Sequence, residues 1–243
     1  MGRAGDSVFR LAAVGDLHCR EDQHGRFRDL VKAVNGEADA LVIAGDLTDR
    51  GTLDEAKTLA EALAQLQVPC VAVLGNHDFE GGVVKELTKL LHDVGVQVLD
   101  GDHVVLEGEL GIAGVKGFGG GFDGAMLQAF GEAPIKAYVQ EAVNEALKLE
   151  WALGQLDTDK KVVIMHYAPI AKTTEGENPE IKTYLGTSRL AAPVDHFGAN
   201  AVFHGHAHHG THEGRTPKGV AVFNVAAPLL RKMDGRRYLL YEL

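Results

Sequence analysis

Three short apolar runs, each stopped by a glycine and one polar residue, constrain this chain more than any other feature. Phe9–Val14 ends in Gly15-Asp16, Ala40–Ala44 in Gly45-Asp46, and Val71–Leu74 in Gly75-Asn76. Asp16, Asp46 and Asn76 follow one another at intervals of 30 residues, the length of one strand-plus-helix unit. The gaps carry helical patterning, because Phe27–Val34, Leu53–Leu66 and Val83–Val94 place apolar residues at spacings of three and four. Short unalternated apolar strands separated by helices predict a sheet buried on both faces.

The remaining chain adds a second set of strands. His103–Leu106 and Leu110–Val115 read as a hairpin closed around Glu107-Gly108-Glu109, and Gly117–Phe122 as a glycine-dense loop. Ile135–Leu156 is a long helical segment, and Lys161–Met165 a buried strand ending in His166. Tyr167–Gly186, broken by Pro169, Gly176 and Pro179, reads as a long surface loop. Ser188–Phe197 follows as a helix with Thr187 or Ser188 at its N-cap. Ala201–Phe203 then runs into His204-Gly205-His206-Ala207-His208, and Val220–Val225 and Tyr238–Tyr241 complete the strands. No linker or low-complexity tract interrupts the 243 residues, a length that suits one large α/β domain, so a single domain over 1–243 is expected.

In an open α/β sheet, ligands gather beyond the carboxyl ends of the strands. Asp16, Asp46 and Asn76 hold that position on three successive strands, and the glycine before each lets the backbone approach closely. Residues i and i+2 at a strand end point the same way, so Asp16 with His18, and His206 with His208, form converging pairs. His166 repeats the position on a further strand. Taken singly, each has a plainer reading: a strand-end Asp is more often a helix cap, and a single His a satisfied polar residue. Together Asp16, His18, Asp46, Asn76, His166, His206 and His208 put seven nitrogen or oxygen ligand candidates at five strand ends, and the joint pattern points to a metal centre. Cys19 follows His18 and should point the opposite way, while His204, His209 and His212 read as a solvated cluster outside the ligand set. Cys19 and Cys70 alone leave no disulfide framework and no four-thiolate zinc site.

The motifs D-x-H (16–18), G-D-x-x-x-x-G (45–51), G-N-H-D (75–78), His166 and G-H-x-H (205–208) resemble, in order, those of the calcineurin-like metallophosphoesterase family. The resemblance implies a four-layer α/β/β/α sandwich with a dimetal site at the C-terminal ends of the strands. It implies that Asp16, His18 and His208 hold one metal, that Asn76, His166 and His206 hold the other, and that Asp46 bridges them. It also implies a catalytic pair, with His77 facing the leaving-group oxygen and Asp49 orienting it. Asp49-Arg50-Gly51 is similar to the protein serine/threonine phosphatase branch, where the Arg contacts phosphate. The chain departs from that branch by reading G-N-H-D for G-N-H-E and by ending in G-H-x-H. Arg50 therefore stands either as a substrate contact or as a surface ion-pair partner.

The implied activity is hydrolysis of a phosphodiester or phosphomonoester by metal-activated hydroxide. Imidazole, carboxylate and amide ligands without thiolate suit two divalent ions drawn from Mn, Fe, Zn, Co or Ni, with Mn or Fe favoured. Two cations about 3.5–4 Å apart clamp the attacking and leaving oxygens and bring a water pKa toward about 7. Protonating an alkoxide leaving group is then the task for His77. A net charge of −10 argues against long nucleic acids. Two divalent ions against the Asp16 and Asp46 carboxylates leave about +2 at one spot, which suits a small phosphate ester, a cyclic nucleotide among them. A nuclease of the same family and a non-catalytic interaction platform on the same fold are the alternatives; the charge opposes the first and the intact ligand set the second.

Phe118 and Phe122 read as core anchors ahead of base-stacking residues, and Lys172, Thr173, Thr174 and Glu175 as residues bordering the site. No apolar run approaches the roughly 20 residues of a membrane span. The N-terminus lacks the apolar core of a signal peptide and has Asp6 where a myristoylation signal has Ser or Thr. A cytoplasmic protein without membrane partners is expected, and exposed hairpin edges leave room for a homodimer.

Overall fold

The computed structural model describes residues 8–106 and 110–243. Its first sheet joins β1 (Arg10–Val14), β2 (Ala40–Ala44), β3 (Cys70–Val73) and β4 (Val96–Leu99) in parallel. Between them run α1 (Arg28–Glu37), α2 (Leu53–Leu63) and α3 (Val84–Asp93). The second sheet contains β5 (Asp102–Leu106), β6 (Leu110–Val115), β7 (Lys160–Met165), β8 (Ala201–His204), β9 (Glu213–Arg215) and β10 (Ala221–Asn224), in the order β5-β6-β7-β8-β10-β9. Its four central strands are parallel, and β5 and β9 close the edges antiparallel. The helices of this half are α4 (Ala133–Gly154), α5 (Lys182–Leu185), α6 (Ala191–Phe197) and α7 (Ala227–Asp234). The last strand, β11 (Leu239–Glu242), returns to pair antiparallel with β1, giving the first sheet the order β11-β1-β2-β3-β4.

Strand alternation sorts the apolar side chains into three cores. Leu11, Ala13, Val42 and Val73 pack against Ile112, Val162, Ile164 and Phe203 between the sheets. Ala12, Val14, Leu41, Ile43 and Ala72 face Leu30, Leu59, Leu63, Leu87 and Leu91 of α1, α2 and α3. Ala113, Val163, Met165 and Val202 meet Leu149, Leu153 and Val194 of α4 and α6. The result is the α/β/β/α sandwich anticipated from the motifs, and both faces of the parallel strands are covered.

The differences lie where the apolar signal is weak. β4 and β9 were not anticipated: β4 is a four-residue edge strand, and β9 offers only Glu213-Gly214-Arg215. α7 was missed too, although Pro228 in its first turn is a start signal. The segment expected to be a surface loop after His166 instead holds 3₁₀ turns at Ala171–Thr174 and Pro179–Ile181 and then α5. The helix expected from Ser188 starts as a 3₁₀ turn and becomes α6 at Ala191, with the Thr187 hydroxyl accepting from the Arg189 N–H. Residues 107–109, the expected hairpin tip, lie outside the described residues.

Candidate metal centre

Asp16, His18, Asp46, Asn76, His166, His206 and His208 follow the C-terminal ends of β1, β2, β3, β7 and β8, and the topology brings them together. Asp16, His18 and His208 form one group whose ligand atoms all lie within 4.8 Å of one another, and Asp46, His166 and His206 form another. In the first group, His208 Nε2 is 2.9 Å from Asp16 Oδ1 and 3.4 Å from His18 Nε2. In the second, His166 Nε2 is 2.9 Å from Asn76 Oδ1 and 3.4 Å from Asp46 Oδ1. Asp46 Oδ2 turns the other way, 3.7 Å from His18 Nε2. One carboxylate thus faces both groups.

Three properties suit these residues to divalent cations. The first is lone-pair supply. A carbonyl can only accept, so His166 Nδ1, 3.1 Å from Ala44 O, carries the hydrogen and leaves Nε2 free to ligate. Burial holds His18 and His166 below the usual histidine range and brings His206 down to about 3, so all three are neutral at pH 7. His208 is the exception: burial opposes its protonation, but the hydrogen bond and charge of Asp16 outweigh it and raise it.

The second property is uncompensated negative charge. Burial first, and then the charges of Asp16 and Asp78, push Asp46 up to about 9. A carboxylate so placed calls for a positive partner. His18 Nδ1 is in addition buried without a hydrogen-bond partner, an orphan that such sites tolerate.

The third is backbone strain. Among the described residues, five non-glycine residues have positive φ, and Asp16 (55°), His18 (43°), Asp46 (48°) and His206 (70°) are four of them. Each costs on the order of 1–3 kcal/mol and persists where the surroundings enforce it. Two glycines admit the close approach. Gly45 has φ +82°, and a Cβ there would lie 2.5 Å from the His166 ring. A Cβ on Gly75 would lie 2.1 Å from Asp46 Oδ1.

The His77–Asp49 pairing takes a form that motif spacing could not show. His77 Nδ1 lies 2.6 Å from the main-chain carbonyl of Asp49, not from its carboxylate. That carboxylate faces His18 Nδ1 at 3.6 Å. The Nδ1–H of His77 therefore donates to a carbonyl, and Nε2 points inward, 4.0 Å from Asp46 Oδ2. The Arg50 side chain is exposed. The main-chain N–H of Arg50 donates to Glu55 Oε2 at 2.9 Å, beside a capping box in which Thr52 Oγ1 accepts from the Glu55 N–H.

One organising residue escaped the sequence reading. Asp78 is fully buried and accepts from the N–H groups of Leu47, Thr48 and Gly75 at 3.2, 2.9 and 2.9 Å, and from Thr48 Oγ1 at 2.6 Å. It ties the loop after β2 to the loop after β3. Its place directly behind His77, three residues after Gly75, was the available signal.

Other expectations are corrected. His204 is no solvated residue: it is completely buried, with Nδ1 2.8 Å from Gly205 O and Nε2 2.8 Å from Thr173 Oγ1. Thr173 and Thr174 are themselves completely buried and cannot border a substrate, although Lys172 and Glu175 form an exposed pair at 2.5 Å. Phe122 is buried, as an anchor should be. Phe118 packs between Tyr138 and Tyr167, with Lys116 Nζ 4.9 Å from its ring centre. Tyr167 in turn sits 4.5 Å from the His206 ring, so this aromatic group flanks the second ligand set.

The comparisons with known proteins concern both sequence and fold. A probable cyclic nucleotide phosphodiesterase from Ruthia magnifica subsp. Calyptogena magnifica is 40% identical over 52 residues, 21% of this chain and 22% of that protein. Glycerophosphodiester phosphodiesterase GpdQ from Enterobacter lignolyticus (strain SCF1) is 28% identical over 97 residues, 35% of each. The matches span well under two thirds of these relatives' own length. The solved phosphopantetheinyl hydrolase PptH from Mycobacterium tuberculosis shares the fold with a TM-score of 0.70 at 16% identity, over 97% of this chain and 96% of that one. The sequence model described as calcineurin-like phosphoesterase matches residues 9–210, which takes in every strand-end motif above. With that match spanning most of its length, the chain belongs to the calcineurin-like phosphoesterase family.

Proposed function

We propose that the chain is a dimetal-dependent phosphoesterase that hydrolyses a phosphodiester or phosphomonoester of a small molecule, within one metallophosphoesterase domain over 1–243. The observation that carries this reading is Asp46, whose two oxygens face His166 and His18 at 3.4 and 3.7 Å and so address both donor groups. Asp16, His18 and His208 would hold one ion, Asn76, His166 and His206 the other, with Asp46 shared. When bound, two such ions supply Lewis acidity that makes hydroxide available near neutral pH and offsets phosphoryl charge. Relatives named as phosphodiesterases favour a diester, and the cyclic nucleotide named for one of them makes that compound the first to try.

The protein's own groups do the rest. His77, anchored through Nδ1–H to the Asp49 carbonyl, is held with Nε2 toward the centre. In its imidazolium form it gives the Nε2 proton to the departing alkoxide. Asp49 and Asp78 act as positioning residues, one through its carbonyl and the other through the clamp on residues 47, 48 and 75. Arg50, exposed on the loop that carries Asp49, contacts substrate phosphate from the rim. Tyr167 and Phe118 wall the side of His166 and His206, where the alcohol part of the ester would rest.

A panel of p-nitrophenyl mono- and diesters, cyclic nucleotides, dinucleoside polyphosphates and DNA, assayed with Mn²⁺, tests the reading. Turnover of the small esters above DNA is expected, and loss of all turnover in Asp46→Ala. Faster cleavage of DNA would move the assignment to a nuclease. No turnover of any ester by the metal-loaded protein would end the enzyme reading in favour of an interaction platform.

A further inference from the structure

Arg26, Arg231 and Arg237 close around a cavity of about 160 Å³ beside the Asp16-Leu17-His18 turn. Its apolar floor is Leu17, Phe27 and Leu30, all buried in the core beneath α1. Among the described residues no Asp or Glu lines it. Arg237 is 3.2 Å from Asp29, on the outer side. Among the described residues the Arg26 guanidinium donates only to the side-chain amide oxygen of Gln23, and it lies 5.3 Å from the Phe27 ring centre. Arg231 forms no ion pair among the described residues.

Guanidinium groups repel one another, and in a chain of net charge −10 carboxylates are plentiful. Arg26 and Arg231 face one cavity with no carboxylate among its lining residues, an arrangement that suits an anion. Burial, and then the charge of Arg231, hold Arg26 below its ordinary range. The same neighbourhood lies within electrostatic reach of the candidate metal centre: the charge of Arg231 acts on His208 and that of Asp49 on Arg26. Leu17, which forms part of the floor, stands in sequence between the ligand candidates Asp16 and His18.

We propose that this cavity is a subsite for a second, phosphate-like anionic group carried by the substrate away from the scissile ester. The proposal rests on the phosphoesterase reading above and narrows it, because the preferred substrate then bears two separated anionic groups. Arg26 and Arg231 bind the remote group, and Arg237, shared with Asp29, closes the outer wall.

The test uses two p-nitrophenyl phosphodiesters with the same leaving group, the ethyl ester and the 2-phosphonoethyl ester, whose carbon–phosphorus bond is not a substrate bond. With the Mn-loaded protein, KM for the phosphonate ester should be lower by about tenfold, the worth of a charge-assisted contact. Arg26→Met combined with Arg231→Met should raise that KM to the level of the ethyl ester. It should leave kcat on both esters, and KM on the ethyl ester, unchanged. Arg231→Lys alone, which keeps the charge and loses the fork, should keep part of the preference. Equal KM values in the parent protein, or a preference that survives the double substitution, overturn the subsite. A second reading needs no turnover: inorganic phosphate titrated into the metal-free protein should shift the Nε–Hε resonances of Arg26 and Arg231. If neither ester is hydrolysed, the phosphoesterase reading falls, and the titration alone decides the anion site: a shift sustains it and no shift overturns it.

Discussion

At Asp46 one oxygen accepts the His77 N–H at 2.9 Å and the other faces His18. Removing this carboxylate takes away the oxygens that face both groups of ligand candidates. Asp46→Ala should therefore lose bound metal and lower kcat/KM by roughly 10³-fold or more, as losses within a catalytic unit do; metal analysis and steady-state kinetics read both. His77→Ala should slow esters of poor leaving groups by about 10²–10⁴-fold, the range of general acid catalysis, and p-nitrophenyl esters far less. Equal losses on the two would remove His77 as the proton donor. Cys19 and Cys70 test the core: burial pushes both thiols up to about 12. The thiolate is the reactive form, so neither should react with a thiol reagent at pH 8 until denaturant is added, when both should. That these residues would meet at the strand ends was legible, because strand ends alternate predictably and each candidate carries a nitrogen or oxygen donor. The role of Asp49 was not, since only the turn decides whether its carbonyl or its carboxylate reaches His77. Nor was His204, which looks like its neighbours in sequence but is buried at the end of β8 against Thr173.

Among the elements, the strands that deliver the ligand candidates could be placed nearly to the residue, because they are short apolar runs ending in glycine or histidine. Edge strands β4 and β9 escaped because an edge needs little apolar content, and the 3₁₀ turn at Ala171–Thr174 because its anchors are buried threonines. Asp78 is the element-scale device, binding three N–H groups across two loops from a fully buried position. Asp78→Ala strands those donors without solvent, and each charged hydrogen bond is worth about 1.5–3 kcal/mol. A loss of about 2–4 kcal/mol in urea unfolding is expected, together with weaker metal binding. A neutral result on both would mean that the two loops hold each other by packing alone. Thr52→Ala, which removes the N-cap of α2 behind Arg50, should cost about 1 kcal/mol, with little effect on metal content.

Across the whole molecule, the site exists only when the sandwich does: Asp16 and His208 touch across 192 positions of sequence. Strand-and-helix alternation made a sheet covered on both faces legible and the motifs' resemblance the four layers, whereas the arginine cavity was not legible, because Arg26, Arg231 and Arg237 share no motif and meet only through folding. Coupling between site and fold means that a metal bound there would stabilise the native state by mass action. At a hundredfold excess over Kd one ion adds about 2.7 kcal/mol, so chelation should lower Tm by at least about 5 °C, reversed by Mn²⁺. The central claim, two ions at one hydrolytic centre, meets its most direct test in a titration of chelator-stripped protein with Mn²⁺ while hydrolysis of bis(p-nitrophenyl) phosphate is followed. Activity should start near zero and level off at two equivalents per chain. Full activity in the stripped protein, or a plateau at one equivalent, would contradict it.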